Sequence, residues 1–480
     1  MICFFSVISQ SFFTTQFGQI RLTHLCVRNR GYRRILLVKA QLVNCAFART
    51  PSLPLAYPPF LSSAHQRAFR LANRVFSPII SPRMSEQMVY YFDNNATTRV
   101  APEVVDAMLP FLREFWGNPS SAYHFGHQVA KSVEEARAKV AALINADPRE
   151  IVFTSCGTES NNSAIHSALV THPEKRHVLT TSVEHSANMK FCDFLQKQGF
   201  AVTLLPVESD GSLDLHLLEK SIRPDTAIVS VMWANNETGV MFPIEEVAAI
   251  CRSKGTLFHT DAVQTPGKLK IDVKELGVDF LSLSAHKLYA PKGIGLFYVK
   301  RRAKYHPYII GGSQERGRRA GTENVANIVA FGRAAELAMS NLQDENTRIR
   351  ALRDKLENGI LAKIPGTSRN GAREPRLPNT SNIAFESVEA EGILMLLDQV
   401  GICASSGSAC TTGSLDPSHV LIAMGCNIAR ARGSIRFSLG HYNTESEVEY
   451  VLKHLPGIIA KLRGNAQTPK ATHRAISQAA

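Results

Sequence analysis

A lysine at a predicted strand end is the first residue that could do chemistry. Lys287 closes the stretch Ser284-Ala285-His286-Lys287, which follows an apolar run at residues 278–283. The ligand crevice of an open α/β sheet lies at the carboxyl ends of its strands. A lysine amine held there can lose its proton and bond covalently to a carbonyl carbon. Taken alone, the stretch also fits an ordinary surface lysine.

An acidic residue ends a second predicted strand, in the stretch from His259 to Gln264. A carboxylate at Asp261 could keep a proton on the nitrogen of a pyridine ring, and that proton makes such a ring an electron sink. Gln264, three residues later, could donate a hydrogen bond to a ring hydroxyl. The alternative for Asp261 is the cap of a helix, which is the commoner role for an aspartate after a strand.

Two further strand ends carry groups that suit a phosphorylated ring. Gly157 and Thr158 stand between a predicted strand and a helix, and the free N–H groups of such a turn bind anions. Gly157 lets the backbone approach a phosphate closely, although small hydroxyl residues here often only cap the helix. His185, after another strand, could stack on a ring and move protons, while a lone histidine is more often structural.

The candidate nucleophile is Cys410, which lies among glycines and small hydroxyl residues in the stretch 405–413. This composition predicts an exposed loop, in which a thiol is either reactive or incidental. A basic, glycine-rich stretch at 311–322 suits a phosphate or a partner surface. Arg436, in a later predicted strand, could hold a substrate carboxylate in a bidentate fork or form an internal ion pair.

The elements that must position these residues alternate along the chain. Helical stretches such as Ser132–Ile144 separate short apolar runs. The predicted strands are residues 150–154, 177–181, 201–206, 227–232, 257–260, 280–284 and 295–299. Such alternation predicts an α/β fold, with a largely parallel sheet and helices on both faces. The lysine, aspartate, histidine and phosphate turn then meet at one edge of the sheet, and this joint placement is hard to attribute to accident.

The pattern changes after a long helical stretch that ends near residue 360, and we interpret the remainder as a smaller α+β domain. Four parts follow the N-terminal extension. They are a segment at 84–99 that packs with the small domain, a large domain at 100–345, the small domain at 346–463 and a tail at 464–480.

The first 83 residues differ in composition from the rest of the chain. They contain eleven of the 54 lysines and arginines and none of the 41 acidic residues, so 43 basic residues remain in a nearly neutral body. This distribution argues against nucleic-acid binding, and no apolar run is long enough for a membrane-spanning helix. The extension fits a mitochondrial-type transit peptide or a region upstream of a start at Met84 or Met88; we favour the latter and expect disorder. Nine cysteines without a C-x-x-C pair favour a reducing compartment.

Residues 89–463 closely resemble the class I cysteine desulfurases of the NifS and IscS type. The stretches that carry the resemblance are 91–98 (YFDNNATT), 117–121 (GNPSS), 235–239 (NNETG), 259–264 (HTDAVQ), 284–287 (SAHK), 318–322 (RRAGT) and 405–410 (SSGSAC). Two features depart from the family pattern. Ala285 stands where a glycine is usual, and the C-terminal tail does not match the tail with which the IscS branch holds its scaffold protein.

The resemblance implies a fold-type I enzyme that uses pyridoxal 5′-phosphate (PLP), with a mostly parallel seven-stranded sheet, acting as a homodimer on L-cysteine. It gives Lys287 as the residue that bonds PLP, Asp261 as the partner of the ring nitrogen and Cys410 as the persulfide carrier. Gln264 would face the ring hydroxyl and His185 would stack on the ring. The phosphate would be held by Gly157, Thr158, Ser284 and His286, with Thr322 from the other subunit, and the substrate carboxylate by Asn236 and Arg436.

The resemblance also implies a sulfur acceptor, such as a scaffold protein for iron–sulfur clusters. It implies no resident metal, no nucleic acid and no membrane, with Cys410 contacting a cluster only transiently. We expect a bacterial cytoplasmic enzyme, or a mitochondrial one if residues 1–83 are a true transit peptide. The alternatives are another fold-type I enzyme, such as an aminotransferase or a selenocysteine lyase, and a non-catalytic protein of the same fold. An aminotransferase has no use for Cys410, and a non-catalytic protein has no need of Lys287.

Overall fold

The strands of the main body are short and almost completely buried, which is the pattern of a sheet covered on both faces. The computed structural model describes residues 6–15, 18–27, 35–43, 88–406 and 416–467, with side chains described from 88 to 406 and from 416 to 464. Contacts between Cα atoms separate a unit at Met1–Ser85 from a unit at Glu86–Ala480. Among the described residues, no helix combines the length and apolar character needed to cross a membrane.

The N-terminal unit contains an antiparallel sheet of three strands. They are β1 (Ser6–Thr15), β2 (Gly18–Val27) and β3 (Ile35–Val43), and they pair in chain order. We expected no ordered structure in residues 1–83, so these strands differ from the expectation. The segments are rich in valine, isoleucine, leucine, phenylalanine and threonine, which favour strands whatever the net charge.

A seven-stranded sheet forms the centre of the second unit, which also holds a two-residue strand β4 (Tyr90–Tyr91). The sheet strands are β5 (Ile151–Thr154), β6 (His177–Thr181), β7 (Ala201–Leu205), β8 (Thr226–Ser230), β9 (Leu257–Asp261), β10 (Phe280–Ser284) and β11 (Gly295–Val299). Their order is β5-β11-β10-β9-β8-β6-β7. Only β11 runs antiparallel to its neighbours within this sheet, so the predicted α/β fold with a mostly parallel sheet is confirmed.

This strand order brings the carboxyl ends of β5, β6, β8, β9 and β10 to the same edge of the sheet. Helices pack on both faces. Their bounds are Pro102–Arg113, His124–Leu143, Gly157–Thr171, Ser186–Lys197, Leu215–Ser221, Ile244–Ser253, Val273–Leu276 and Val325–Asp344. The helix predicted from Ser132 begins earlier, at His124. Its first turns carry few of the regularly spaced apolar residues from which helices are predicted, so the sequence pattern did not indicate them.

A π-helical turn at Glu345–Ile349 joins the last of these helices to the next, Arg350–Lys363. The segment beyond it contains strands β12 (Thr367–Arg369), β13 (Thr380–Phe385), β14 (Ile402–Cys403) and β15 (Ser434–Ser438). Its remaining helices are Ala390–Gln399, His419–Ala423, Ile428–Arg432 and Glu445–Gln467.

This C-terminal segment has an apolar core of its own. Strands β12, β13 and β15 form an antiparallel sheet, and β14 pairs with β4. Phe92 belongs to this core, together with Leu356, Ile383 and Phe437. The backbone of Asp93 also bridges to β15. Residues 90–93 therefore pack with the C-terminal segment, although the two are distant along the chain.

Candidate active site

One cavity of about 280 Å³ lies at the carboxyl edge of the large sheet. Most of the residues predicted to bind a cofactor or a substrate meet there, because they end or follow strands of this sheet, while Arg436 lies on β15. The predicted residues that line it are Gly157, Thr158, His185, Asn236, Asp261, Gln264, Ser284, His286, Lys287 and Arg436. Among the described residues, no group of three histidines, cysteines, aspartates or glutamates is arranged to hold a metal ion.

Lys287 ends a single 3-10 turn, Ala285–Lys287, that directly follows β10. Its amine donates hydrogen bonds to the backbone carbonyls of Asn95 and Ala96, the latter at 2.7 Å. Ala285, the departure from the family pattern, is fully buried in the apolar core, so its methyl group is accommodated. The turn therefore holds the lysine against an N-terminal segment that sequence reasoning did not connect with it.

Asp261 ends β9 and is bound only by neutral donors among the described residues. The side-chain amide of Asn161 donates to its Oδ2 at 2.6 Å, and the N–H of Val263 donates to its Oδ1 at 3.0 Å. No helix begins between residues 262 and 272, so the interpretation of Asp261 as a helix cap is wrong. Asn161, on the helix after the phosphate turn, is a further site residue that spacing alone did not indicate.

Gln264 reaches the same cavity in a different way from the one predicted. Its Nε2 donates to the carbonyl of Asn95 at 3.1 Å. Its buried Oε1 has no hydrogen-bond partner among the described residues. The group available to a ring hydroxyl is therefore an acceptor, whereas the sequence suggested a donor.

The helix Gly157–Thr171 begins at the predicted phosphate turn, with its N-terminus at the cavity. A Cβ on Gly157 would stand 2.8 Å from Cγ2 of Val263, so packing favours a glycine at this turn. His286, from the neighbouring strand end, bonds the hydroxyl of Thr97 at 3.1 Å. Burial first, and then nearby Lys287, lower the pKa of His286 to about 4, so its imidazole is neutral.

His185 caps the helix Ser186–Lys197, and its Nδ1 accepts a hydrogen bond from the N–H of Ala187 at 3.1 Å. Burial lowers the pKa of His185; the charge of Asp261 opposes this effect, and Lys287 adds to it. The imidazole is therefore neutral, and with Nδ1 acting as an acceptor the ring proton resides on Nε2. This is the tautomer that can donate from Nε2 to a group in the cavity.

Arg436, on β15, forms the ion pair that was the alternative to substrate binding. Its Nη2 donates to Oδ1 of Asp93 at 2.6 Å, and its Nη1 donates to the backbone carbonyl of Asn236 at 2.9 Å. Its buried Nε has no hydrogen-bond partner among the described residues. The arginine lines the cavity, so a substrate carboxylate would share it with Asp93.

Two predicted residues are not at this cavity within the described chain. Thr322 lies in a separate cleft of about 240 Å³, which Thr154, Ser155 and Arg319 also line. Its contribution from a second subunit stays a prediction. Cys410 lies outside the described residues.

The residues that flank Cys410 can nevertheless be located. On its N-terminal side, the backbone of Ser405 pairs with that of Arg436, with N–O distances of 3.2 and 2.6 Å. On its C-terminal side, the Nε2 of His419 bonds the backbone carbonyl of Glu184 at 2.9 Å. Arg436 lines the cavity, and Glu184 directly precedes His185. One flank therefore contacts a residue that lines the cavity, and the other contacts the residue that precedes one.

Comparison with known proteins gives a consistent result. Residues 90–451 match the family model described as aminotransferase class-V. The chain is 55% identical over 375 residues to cysteine desulfurase 2 of Trichormus variabilis, an alignment that covers 78% of this chain and 94% of the relative. It is 54% identical to the cysteine desulfurase NifS of Azotobacter vinelandii, covering 78% of this chain and 93% of the relative.

Solved structures agree. A NifS-like protein superposes with a TM-score of 0.74 at 41% identity, covering 78% of this chain and all of that one. The protein described as SspA in complex with cysteine gives a TM-score of 0.66 at 36% identity, covering 74% of this chain and 99% of that one. These matches confirm the predicted family and its fold. The chain belongs to the cysteine desulfurases of the NifS kind, within the class-V aminotransferase family.

Proposed function

We propose that this chain converts L-cysteine to L-alanine with PLP as its cofactor, and that Cys410 takes the sulfur as a persulfide. One observation carries the proposal. Lysine, aspartate, histidine and arginine side chains surround a single cavity, and the described residues on either side of the Cys410 segment contact Arg436, which lines it, and Glu184, which precedes His185. An enzyme that only transfers an amino group has no use for a nucleophilic cysteine such as Cys410.

The residues at the cavity fit PLP. The carboxylate of Asp261 has no cationic partner within ion-pair distance among the described residues, so it is available to a ring N–H⁺. The buried Oε1 of Gln264 is an orphan acceptor that a ring hydroxyl would satisfy. Gly157, Thr158, Ser284 and His286 would hold the phosphate at the helix N-terminus. Bound PLP would supply an electron sink that lets the Cα proton leave and weakens the Cβ–S bond.

The side chains of this protein then have distinct tasks. Lys287 would hold the cofactor, and its amine would also accept the Cα proton of the substrate. His185, neutral and protonated on Nε2, would lie against the ring and return a proton. Arg436 and Asn236 would hold the substrate carboxylate, with Asp93 released from part of its contact with the arginine.

Sulfur transfer is a displacement at the substrate sulfur. The thiolate of Cys410 would attack that sulfur, a new S–S bond would form, and the Cβ–S bond would break with its electron pair going to carbon. Cβ would then take a proton, alanine would leave, and Cys410 would carry the persulfide. An acceptor protein, such as a scaffold for iron–sulfur clusters, would remove the sulfur afterwards.

The second unit carries large apolar side chains at its surface. Trp116 and Ile310 are 71% and 86% exposed. The carbonyl of Ile309 accepts a hydrogen bond from the N–H of Ala320, so the exposed isoleucine and Thr322 belong to one folded stretch. We infer a homodimer in which a second copy covers this stretch and Thr322 reaches the phosphate of the other subunit.

The test is turnover of L-cysteine by the full chain in the presence of PLP and a reductant, with sulfide and alanine measured together. We expect equal amounts of the two products from the natural chain, and neither from Lys287→Ala or Cys410→Ser. Cys426→Ser is the matched control, because this half-buried cysteine lies outside the cavity, and it should keep full turnover. Undiminished turnover by Cys410→Ser would overturn the proposal and favour another PLP-dependent activity.

A further inference from the structure

A buried carboxyl group directly precedes His185 and is held by neutral groups. Oε1 of Glu184 accepts hydrogen bonds from the hydroxyl of Thr181 at 2.9 Å and from the N–H of Met232 at 2.8 Å. Its Oε2 accepts from the side-chain amide of Asn188 at 3.0 Å. These contacts join the turn that carries His185 to the end of β6, to the segment after β8 and to the helix that follows.

No lysine or arginine lies within ion-pair distance of Glu184 among the described residues. The titratable groups that face it are Asp261, the thiol of Cys192 and His419, which bonds its backbone carbonyl. Burial raises the pKa of Glu184 to about 8, and the negative charge of Asp261 contributes in the same direction. Glu184 is therefore a neutral acid at pH 7, unlike the ordinary surface glutamate.

A line of buried polar side chains continues from Glu184 across the sheet. The amide of Asn188 also contacts the hydroxyl of Ser230 at 3.2 Å. That hydroxyl contacts Nδ1 of His259 at 2.8 Å. Nε2 of the same imidazole contacts the hydroxyl of Ser282 at 2.8 Å. Burial lowers the pKa of His259 to about 3, so this imidazole is neutral as well. Ser230, His259 and Ser282 lie on β8, β9 and β10, and the last two of these strands lead to Asp261 and Lys287.

The same line contains an acceptor for an acid proton. The buried Oδ1 of Asn188 has no hydrogen-bond partner among the described residues. Rotating the amide by half a turn would bring this oxygen to Oε2 of Glu184, where it accepts the proton of the neutral acid. An ionised Glu184 would instead be a buried charge without a cationic partner, close to the charge of Asp261.

We propose that Glu184 is a positioning residue that, as a neutral acid, fixes the turn bearing His185 and so holds that histidine at the cavity. The proposal rests on the function proposed above only for the role of His185 in the reaction. When Glu184 loses its proton, its hydrogen bonds to Asn188 rearrange and the charge next to His185 changes. The environment of His185 should therefore change when Glu184 loses its proton, even when neither cofactor nor substrate is bound.

The test therefore uses the full chain without PLP. The imidazole resonances of His185, identified by their loss in His185→Gln, are followed by NMR as the pH is raised. We expect a step near pH 8, which is well above the titration of His185 itself because the pKa of that histidine is lowered. Glu184→Gln should abolish the step, because its neutral amide keeps the shape and can donate to Oδ1 of Asn188.

Asp279→Asn is the matched control. Asp279 is another buried carboxyl whose pKa is raised by burial, but it precedes β10 and so lies at the opposite edge of the sheet, where it accepts from the N–H of Phe258 at 3.0 Å. Its variant should keep the step near pH 8. A step that persists in Glu184→Gln, or that is absent from the natural chain, would overturn the proposal.

Activity gives an independent measurement with the PLP-loaded protein. We expect turnover of the natural chain to decline above pH 8, and Glu184→Gln should keep turnover within about threefold at pH 7 and lose that decline. Glu184→Leu should lower turnover at least about tenfold while PLP still binds, and equal turnover in both variants would contradict the proposal. If Cys410→Ser kept full turnover, the proposed function would fail, whereas the NMR step would still test the role of Glu184.

Discussion

Two buried glutamates, one in each core of the main body, differ in the protonation state that their surroundings favour. Glu357 in the C-terminal segment is bound by both terminal nitrogens of Arg376, at 2.6 and 3.1 Å, and by the hydroxyl of Ser381 at 2.7 Å. Glu184, next to the cavity, has only neutral donors. Although burial opposes it, the hydrogen bonds and charge of Arg376 lower the pKa of Glu357, while burial raises that of Glu184 to about 8.

The difference separates a group that stabilises the fold from one that serves the site. A paired carboxylate stays charged across the physiological range and contributes to stability as long as both partners are present. An unpaired buried carboxyl binds a proton on folding. Its contribution to stability is complete below about pH 4.5 and is lost as the pH rises through about 8. A site with Asp261 and the phosphate of the proposed PLP would gain from keeping its neighbouring acid neutral.

Breaking the ion pair should give the largest effect. Glu357→Gln leaves Arg376 buried without its counterion, and we expect the free energy of unfolding to fall by about 3–5 kcal/mol. Denaturant unfolding at pH 7 measures it. Glu184→Gln under the same conditions should change that free energy much less, because it replaces a neutral acid by a neutral amide. A loss of equal size in both variants would remove the distinction between the two glutamates.

Arg436 forms an ion pair with Asp93 and also lies at the cavity. Arg436→Lys keeps the positive charge but loses the bidentate fork. We expect KM for L-cysteine to rise by about ten- to a hundredfold, from the roughly 1.5–3 kcal/mol of a hydrogen bond to a charged group. The absorbance of bound PLP should be unchanged. An unchanged KM would mean that Arg436 only stabilises the contact with Asp93.

Gly157→Ala, which changes packing but not charge, should give the smallest effect of these three variants. In Gly157→Ala the new methyl group would stand 2.8 Å from Cγ2 of Val263, at the turn that would hold the phosphate. We expect PLP to bind about tenfold more weakly, as measured by titration of its absorbance. The double variant Gly157→Ala with Val263→Ala should recover most of this affinity. If it did not, the glycine would be required by the cofactor and not by Val263.

The sequence indicated the backbone of the site better than its contacts. The bounds of β6 and β10 match the predicted strands, because both are continuous buried runs that end in polar residues. Of the ten predicted residues that line the cavity, nine end or follow strands of the large sheet, and Arg436 lies within β15 of the small antiparallel sheet. Asn95, Asn161 and Glu184 could not be predicted, since their roles depend on which side chains the fold brings together.

The pairing of Arg436 illustrates the limit. Its partner Asp93 is 343 residues away along the chain, and only the packing of residues 90–93 against the C-terminal segment brings the two together. Spacing in the sequence left open whether the arginine binds substrate or forms an ion pair, and the ion pair is present. The same packing brings the carbonyls of Asn95 and Ala96 to Lys287.

The mass of the peptide that contains Cys410 tests most directly whether this cysteine takes the sulfur of L-cysteine. The PLP-loaded chain is exposed to L-cysteine without reductant, alkylated and digested. We predict that this peptide gains the mass of one sulfur atom, that the peptide containing Cys426 does not, and that Lys287→Ala abolishes the gain. Alanine formation with no sulfur on Cys410 would contradict the account.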